Sequence, residues 1–172
     1  MTRLSLYMVT LLLGTHFPSP TMPPIAPPQA IVAQAPMTVE EQRLMDLANE
    51  ERRMVGLSTL RPNQMLVQVA RAHSREMYEK SYFDHRSPTP ELATPKVRYL
   101  KGMGRMPTYA CIGENLFYSS VVDPELGNKC LMQSPSHRAN ILSTQFDQMG
   151  VGVYESPDGR FWVTQMFLTQ ID

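Results

Sequence analysis

Hydrophobic positions take on the period of a fold only from Thr38 onward. Leu44, Leu47, Ala48 and Met54 or Val55 recur at helical spacing. Thr38-x-x-Glu41 supplies a capping box before them, and Gly56 closes the run. A second helix is predicted from about Asn63 to Lys80, where Leu66, Val69, Ala70, His73 and Met77 line one inward face. His73 lies on that face and reads first as a core histidine hydrogen-bonded within the fold.

Tyr82-Phe83-Asp84-His85 leaves this helix, and Ser87-Pro88-Thr89-Pro90 blocks its return. A short helix is expected over Thr94–Lys101, ending at Gly102, followed by a loop to Pro107. Tyr109–Ile112 is predicted as a short strand entering a tight turn at Gly113-Glu114-Asn115. Asp123-Pro124-Glu125 starts a helix that reaches about Gln133. Ser134-Pro135 then breaks it and displays His137 at the head of a new short helix, anchored by Ile141-Leu142.

The last segment is a β-hairpin. Met149, Val151 and Val153 alternate with Gly150 and Gly152, Ser156-Pro157-Asp158-Gly159 supplies the turn, and Phe161–Leu168 returns. The two glycines leave room for a neighbouring element. Helices come first and strands last, which predicts an α+β fold with helices packed on a small antiparallel sheet.

Composition divides the chain. The first 36 residues hold seven of the fifteen prolines and one charge, Arg3, whereas all sixteen Asp and Glu fall after Met37. Residues 1–14 read as the n- and h-regions of an export signal, too short to span a bilayer. Residues 15–37 read as a proline-rich spacer, with Ala33-Gln34-Ala35 as a weakly marked cleavage site, and 38–172 as the folded domain. The protein is therefore expected outside the cell or in its envelope. No basic block appears, so nucleic acid has no support as a partner. Export would permit a disulfide between Cys111 and Cys130, with two free thiols as the alternative.

Three chemical groups stand out: His85, Glu114 and His137, in a chain without HExxH, GxSxG or a P-loop. Two imidazoles and a carboxylate form a composition that binds zinc with an open fourth position. Their separations carry no local metal pattern. A Glu114–His137 pair stabilising a cleft without any ligand is the alternative reading.

Several motifs then occur in order: Glu50-Glu51-Arg52-x-x-x-Gly56-Leu57-x-x-Leu60, Ala70-Arg71-x-His73-Ser74-x-x-Met77, Phe83-x-His85 and Gly113-Glu114-Asn115. They are followed by Ser134-Pro135-x-His137-Arg138-x-Asn140-Ile141-Leu142, Gly150-Val151-Gly152 and Thr164-Gln165-x-Phe167. Over residues 38–169 this set resembles a bacterial domain of the CAP superfamily, named after cysteine-rich secretory proteins, antigen 5 and pathogenesis-related 1 proteins. The resemblance implies a three-layer α-β-α sandwich. It also implies a cleft with two histidines and two acidic residues, which in some members binds zinc or another divalent ion. His85, Glu114 and His137 match three of the four positions. Ser134 stands where animal and plant members carry the second acid, and Leu131 where they carry a tryptophan.

The expectation is a secreted binding module in which His85 and His137, with Glu114 as a third candidate, hold a divalent metal such as zinc, Ser134 completing the cleft. Lipid, sterol or cell-envelope partners are implied by the family, with residues 88–107 as a candidate groove wall. A metal-assisted hydrolase using Glu114 as general base is the alternative. The neutral Ser134 removes a two-carboxylate acid/base mechanism.

Overall fold

The computed structural model describes residues 35–171, so the expected export signal and nearly all of the spacer lie outside the described residues. Helix α1 spans Val39–Met54, and Thr38 caps it in the reciprocal box that the sequence predicts. Its Glu41 is fully buried and does more than cap. It receives the Arg71 guanidinium at 2.5 and 2.7 Å and the Val153 amide at 3.1 Å, tying three elements together. Helix α2 spans Gln64–Glu79 behind an Asn63 N-cap, and all five predicted face residues are buried.

After α2 come a single 3₁₀ turn at Pro90–Leu92 and helix α3, Pro95–Met103, which ends at Gly104 in a left-handed conformation rather than at Gly102. Helices α4, Pro124–Gln133, and α5, Pro135–Ile141, meet at Ser134. The strands are β1, Arg61–Pro62; β2, Tyr109–Ser119; β3, Gln148–Glu155; and β4, Phe161–Ile171. Their order is β1-β3-β4-β2, antiparallel except for the two-residue β1, which runs parallel to β3.

Alternation along β4 divides the interior. Phe161, Val163 and Phe167 join Leu44, Ala48, Leu131 and Ile141 on one face. Met166 and Leu168 join Leu66, Ala70 and Tyr99 on the other, with Trp162 against Met77 beyond them. The result is a three-layer sandwich with α1, α4 and α5 on one face of the sheet and α2 and α3 on the other. The predicted glycine gap is filled by α2. A Cβ on Gly152 would stand 2.0 Å from the Arg71 amide nitrogen, and one on Gly150 would stand 2.5 Å from the Leu66 carbonyl carbon.

Four expectations need correction. Met54 and Val55 are exposed, because the α1 face turns to Asn49 and Arg52 there. Arg52 is buried and binds the carbonyls of Ser58, Ile141 and Ser143, each at 2.8 Å. Gly113-Glu114-Asn115 is no turn but the middle of an unbroken β2, held by β4 along its whole length. The sheet is mixed rather than purely antiparallel at its β1 edge. Cys111 and Cys130 are free thiols: Cys111 packs partly against the core from β2, while Cys130 is exposed on α4. No helix among the described residues is long and apolar enough to cross a membrane.

Candidate functional site

Because β2 alternates, Glu114 and Asn115 face opposite layers, and the candidate site wraps the free edge of this outer strand. Glu114 faces the α2–α3 layer and is buried. Its Oε1 lies 2.8 Å from His85 Nδ1, and its Oε2 accepts from Arg98 Nη2 at 2.6 Å. Arg98 is buried too, and its other amino group holds the carbonyls of His85 and Leu92 at 3.1 and 2.9 Å. One guanidinium thus fixes both the carboxylate and the loop that carries its histidine partner.

A second buried carboxylate shapes that loop. Glu76 accepts from Tyr82 Oη at 2.8 Å, Ser87 Oγ at 2.9 Å and Thr89 Oγ1 at 2.5 Å, and pairs with Lys80 at 3.0 Å. Burial alone would raise its carboxyl, but hydrogen bonds from Thr89, Tyr82, Lys80 and Ser87 outweigh it and hold the value at about 2. His73 completes this network: its Nε2 meets the Asp84 carbonyl at 3.2 Å and its Nδ1 the Tyr82 hydroxyl at 3.3 Å. It is the hydrogen-bonded core histidine that the sequence suggests, although its Nε2 comes within 4.0 Å of Glu114.

From the other layer, α5 approaches the same strand. Asn140 Nδ2 donates to the Glu114 carbonyl at 3.2 Å and to Asn115 Oδ1 at 2.9 Å, so the exposed ladder edge is capped by a side-chain amide. Asn115 Nδ2 binds the His137 carbonyl and Gln165 Oε1, each at 3.1 Å, fixing the backbone from which His137 projects. Gln165 Nε2 is buried with no hydrogen-bond partner among the described residues. Close approach of α5 and the following loop requires Gly113, where a Cβ would fall 2.8 Å from Phe146 Cζ and 3.2 Å from Asn140 Oδ1. Ser134, between α4 and α5, faces the Ser136 hydroxyl at 3.4 Å and makes no side-chain cap.

The surroundings push the three imidazoles in different directions. The Glu114 hydrogen bond raises His85 above its ordinary value against the opposing effect of burial. Burial, then the Arg98 charge, lowers His73. Burial, then the nearby His85 charge, lowers His137, so the two cleft histidines sense one another across the β2 edge.

The structure therefore brings His85 directly onto Glu114, sets His137 within electrostatic reach of His85, and leaves Ser134 turned toward Ser136. Sequence reasoning missed Arg98, whose only signal is its place on a predicted helix beside the buried Tyr99. It also missed the part played by Glu76. Among the described residues, no three His, Cys, Asp or Glu side chains form a group that could hold a metal ion. Both Glu114 oxygens are already taken, one by a guanidinium, which does not suit a direct cation ligand. The arrangement fits a divalent ion in a narrower way: metal-binding histidines commonly give their second ring nitrogen to a carboxylate, the position Glu114 occupies at His85. His85 Nε2 and the His137 ring are then the donors on offer.

A family model described as the cysteine-rich secretory protein family, CAP, matches residues 45–167. The chain is 38% identical over 136 residues to the uncharacterized protein YkwD of Bacillus subtilis strain 168, covering 79% of this chain and 49% of that protein. An extracellular protein containing a SCP domain from Bacillus anthracis superposes with a TM-score of 0.64 at 32% identity, covering 77% of this chain and 44% of that one. An outer surface protein from Borrelia burgdorferi shares the fold, with a TM-score of 0.67 at 19% identity over 76% of this chain and 92% of its own. This chain spans about half the length of the Bacillus subtilis relative. With motif order, sandwich topology and family match in agreement, the chain belongs to the CAP family of cysteine-rich secretory proteins.

Proposed function

We propose that this CAP domain is an extracellular or cell-envelope binding module whose cleft holds a divalent cation such as zinc between His85 and His137. The observation that carries this reading is the 2.8 Å contact of His85 Nδ1 with a Glu114 that Arg98 holds in place. It leaves His85 Nε2 as the ring's free donor, and half of the His85 side chain is exposed. A bound cation would supply a Lewis-acid anchor for an oxygen-bearing ligand, while Glu114 orients His85 and Asn115 fixes the His137 backbone. Placement outside the cell is supported by the resemblance to the extracellular SCP-domain protein of Bacillus anthracis.

The hydrolase reading fits less well. A general base needs a free lone pair facing water, and both Glu114 oxygens accept hydrogen bonds in a buried site. Ser134 faces a serine rather than an imidazole, so it is not an activated nucleophile. Sterol or fatty-acid binding behind the 88–107 wall is also disfavoured. The cavity there, lined by Val69, Ala72, Leu92 and Gly102, measures about 230 Å³, below the roughly 300–1,000 Å³ of typical small-molecule sites.

Calorimetric titration of the full chain with Zn²⁺ tests the proposal. Saturable heat is expected for the wild type and none for the His85→Ala/His137→Ala double variant. Glu114→Gln should weaken binding about 10- to 100-fold through loss of the orienting carboxylate. Ser134→Glu, restoring an acid at the family position, should tighten it. A wild type that takes up no Zn²⁺ would sink the reading.

A further inference from the structure

Away from the His85 cleft lies an open one of about 680 Å³, lined by Tyr78, Tyr82, Phe83, Tyr118, Arg160 and Trp162 among others. Its centre is an aromatic cluster. Tyr118 and Trp162 have ring centroids 4.5 Å apart, and Phe83 sits 6.1 Å from Trp162 and 6.2 Å from Tyr118. Phe83 and Tyr118 are 50% and 40% exposed, far more than a hydrophobic plug would leave open. Tyr82 is pinned by its bonds to Glu76 and His73, so this wall is rigid before any ligand arrives.

Two donors in the lining are unspent. Trp162 is only 7% exposed, and its Nε1, like Arg160 Nε, is buried with no hydrogen-bond partner among the described residues. A buried N–H without a partner is costly and points to an acceptor supplied from outside. Charge narrows the choice. The Arg160 guanidinium stands 5.8 Å from the Tyr78 ring centroid, filling the cation position over that ring. Its charge is balanced by Asp158 at 2.6 Å while Glu79 also lines the cleft, so neither sign dominates and a neutral ligand fits best. A purely apolar ligand would leave both donors unsatisfied. A ligand with flat C–H faces for the rings and acceptor oxygens for the two N–H groups satisfies every feature.

We propose that this aromatic cleft is a saccharide-binding site, in which Phe83, Tyr118 and Trp162 pack against sugar rings and Trp162 Nε1 and Arg160 donate to sugar oxygens. The site goes beyond the proposed metal cleft and does not depend on it. Trp162 is the one tryptophan in the 172-residue chain, so its fluorescence reports on this site alone. The full chain would be titrated with the trimer of N-acetylglucosamine and with maltotriose, and with phosphocholine and laurate as quaternary-ammonium-bearing and long-chain aliphatic probes. Saturable change in Trp162 emission with at least one sugar is expected, weakened about tenfold or more by Phe83→Ala or Tyr118→Ala, both at exposed positions. Trp162→Phe keeps an aromatic face, though a smaller one, and removes the donor, and calorimetry should show a comparable loss. No saturable response to either sugar, sugar binding indifferent to all three substitutions, or a stronger response to phosphocholine or laurate would overturn the proposal.

Discussion

Arg98 and Glu114 form a doubly buried ion pair, each side chain no more than 3% exposed. Such a pair is weak evidence for net stability, yet removing one partner leaves a charge in low dielectric. Arg98→Leu should therefore destabilise the domain by about 3–5 kcal/mol in urea unfolding, and adding Glu114→Gln should recover part of the loss. Additive losses would show that the pair is not coupled. The histidines give a pH signature of opposite signs. Unfolded His73 takes up a proton as pH falls through about 6.5, but the folded residue, depressed by burial, does not, so stability declines in that window. The His85 contribution is complete below about 6.5 and is lost as pH rises through its raised folded value. Unfolding free energies measured between about pH 5 and 8 should show a smaller acid decline in His73→Gln, with the likewise lowered His137 supplying the remainder, and should lose their alkaline decline in His85→Gln. Unchanged slopes would contradict these assignments. The candidate histidines and Glu114 were legible because they fall within ordered motifs. Arg98 was not, because its role depends on a strand and a loop brought to it by folding.

Among the elements, the most demanding contact is α2 against β3. The methyl of Gly152→Ala would meet backbone atoms at 2.0 and 2.2 Å, which cannot rotate away. A loss of about 3 kcal/mol or more is expected, against a smaller one for Gly127→Ala, whose nearest neighbours are Phe117 ring atoms at 3.2 Å. Equal, small losses by chemical denaturation would mean that the layers are looser than described. Both helices with clear caps and a single inward face were readable from sequence. β2 was misjudged at its glycine because Gly113 serves the neighbouring Phe146 and Asn140 rather than a turn, a need visible only across layers. β1 is two residues long, too short for any periodic signal.

For the whole molecule, the sandwich follows from local patterns, but which groups meet at the β2 edge does not. Glu76 folds the 80–89 loop, Arg98 clamps it, and Asn140 seals the strand edge, so the cleft is built from both helical layers. If zinc binds only the native state, thermal unfolding at 100 times its dissociation constant should gain about 2.7 kcal/mol. That gain should fade as pH falls through the raised His85 value, already above about 6.5, because a ligating imidazole must lose its Nε2 proton. A gain that persists undiminished to about pH 5 would place the metal elsewhere.

The central claim is that Glu114 holds His85 by Nδ1 and leaves Nε2 for a ligand. Imidazole ¹⁵N NMR of the full chain, titrated in pH and with Zn²⁺, reads this directly for each histidine. Neutral His85 should carry its proton on Nδ1, titrate above about 6.5, return toward that value in Glu114→Gln, and shift at Nε2 together with His137 when Zn²⁺ is added. A His85 that titrates like a free histidine, favours the Nε2–H tautomer and ignores Zn²⁺ would contradict it.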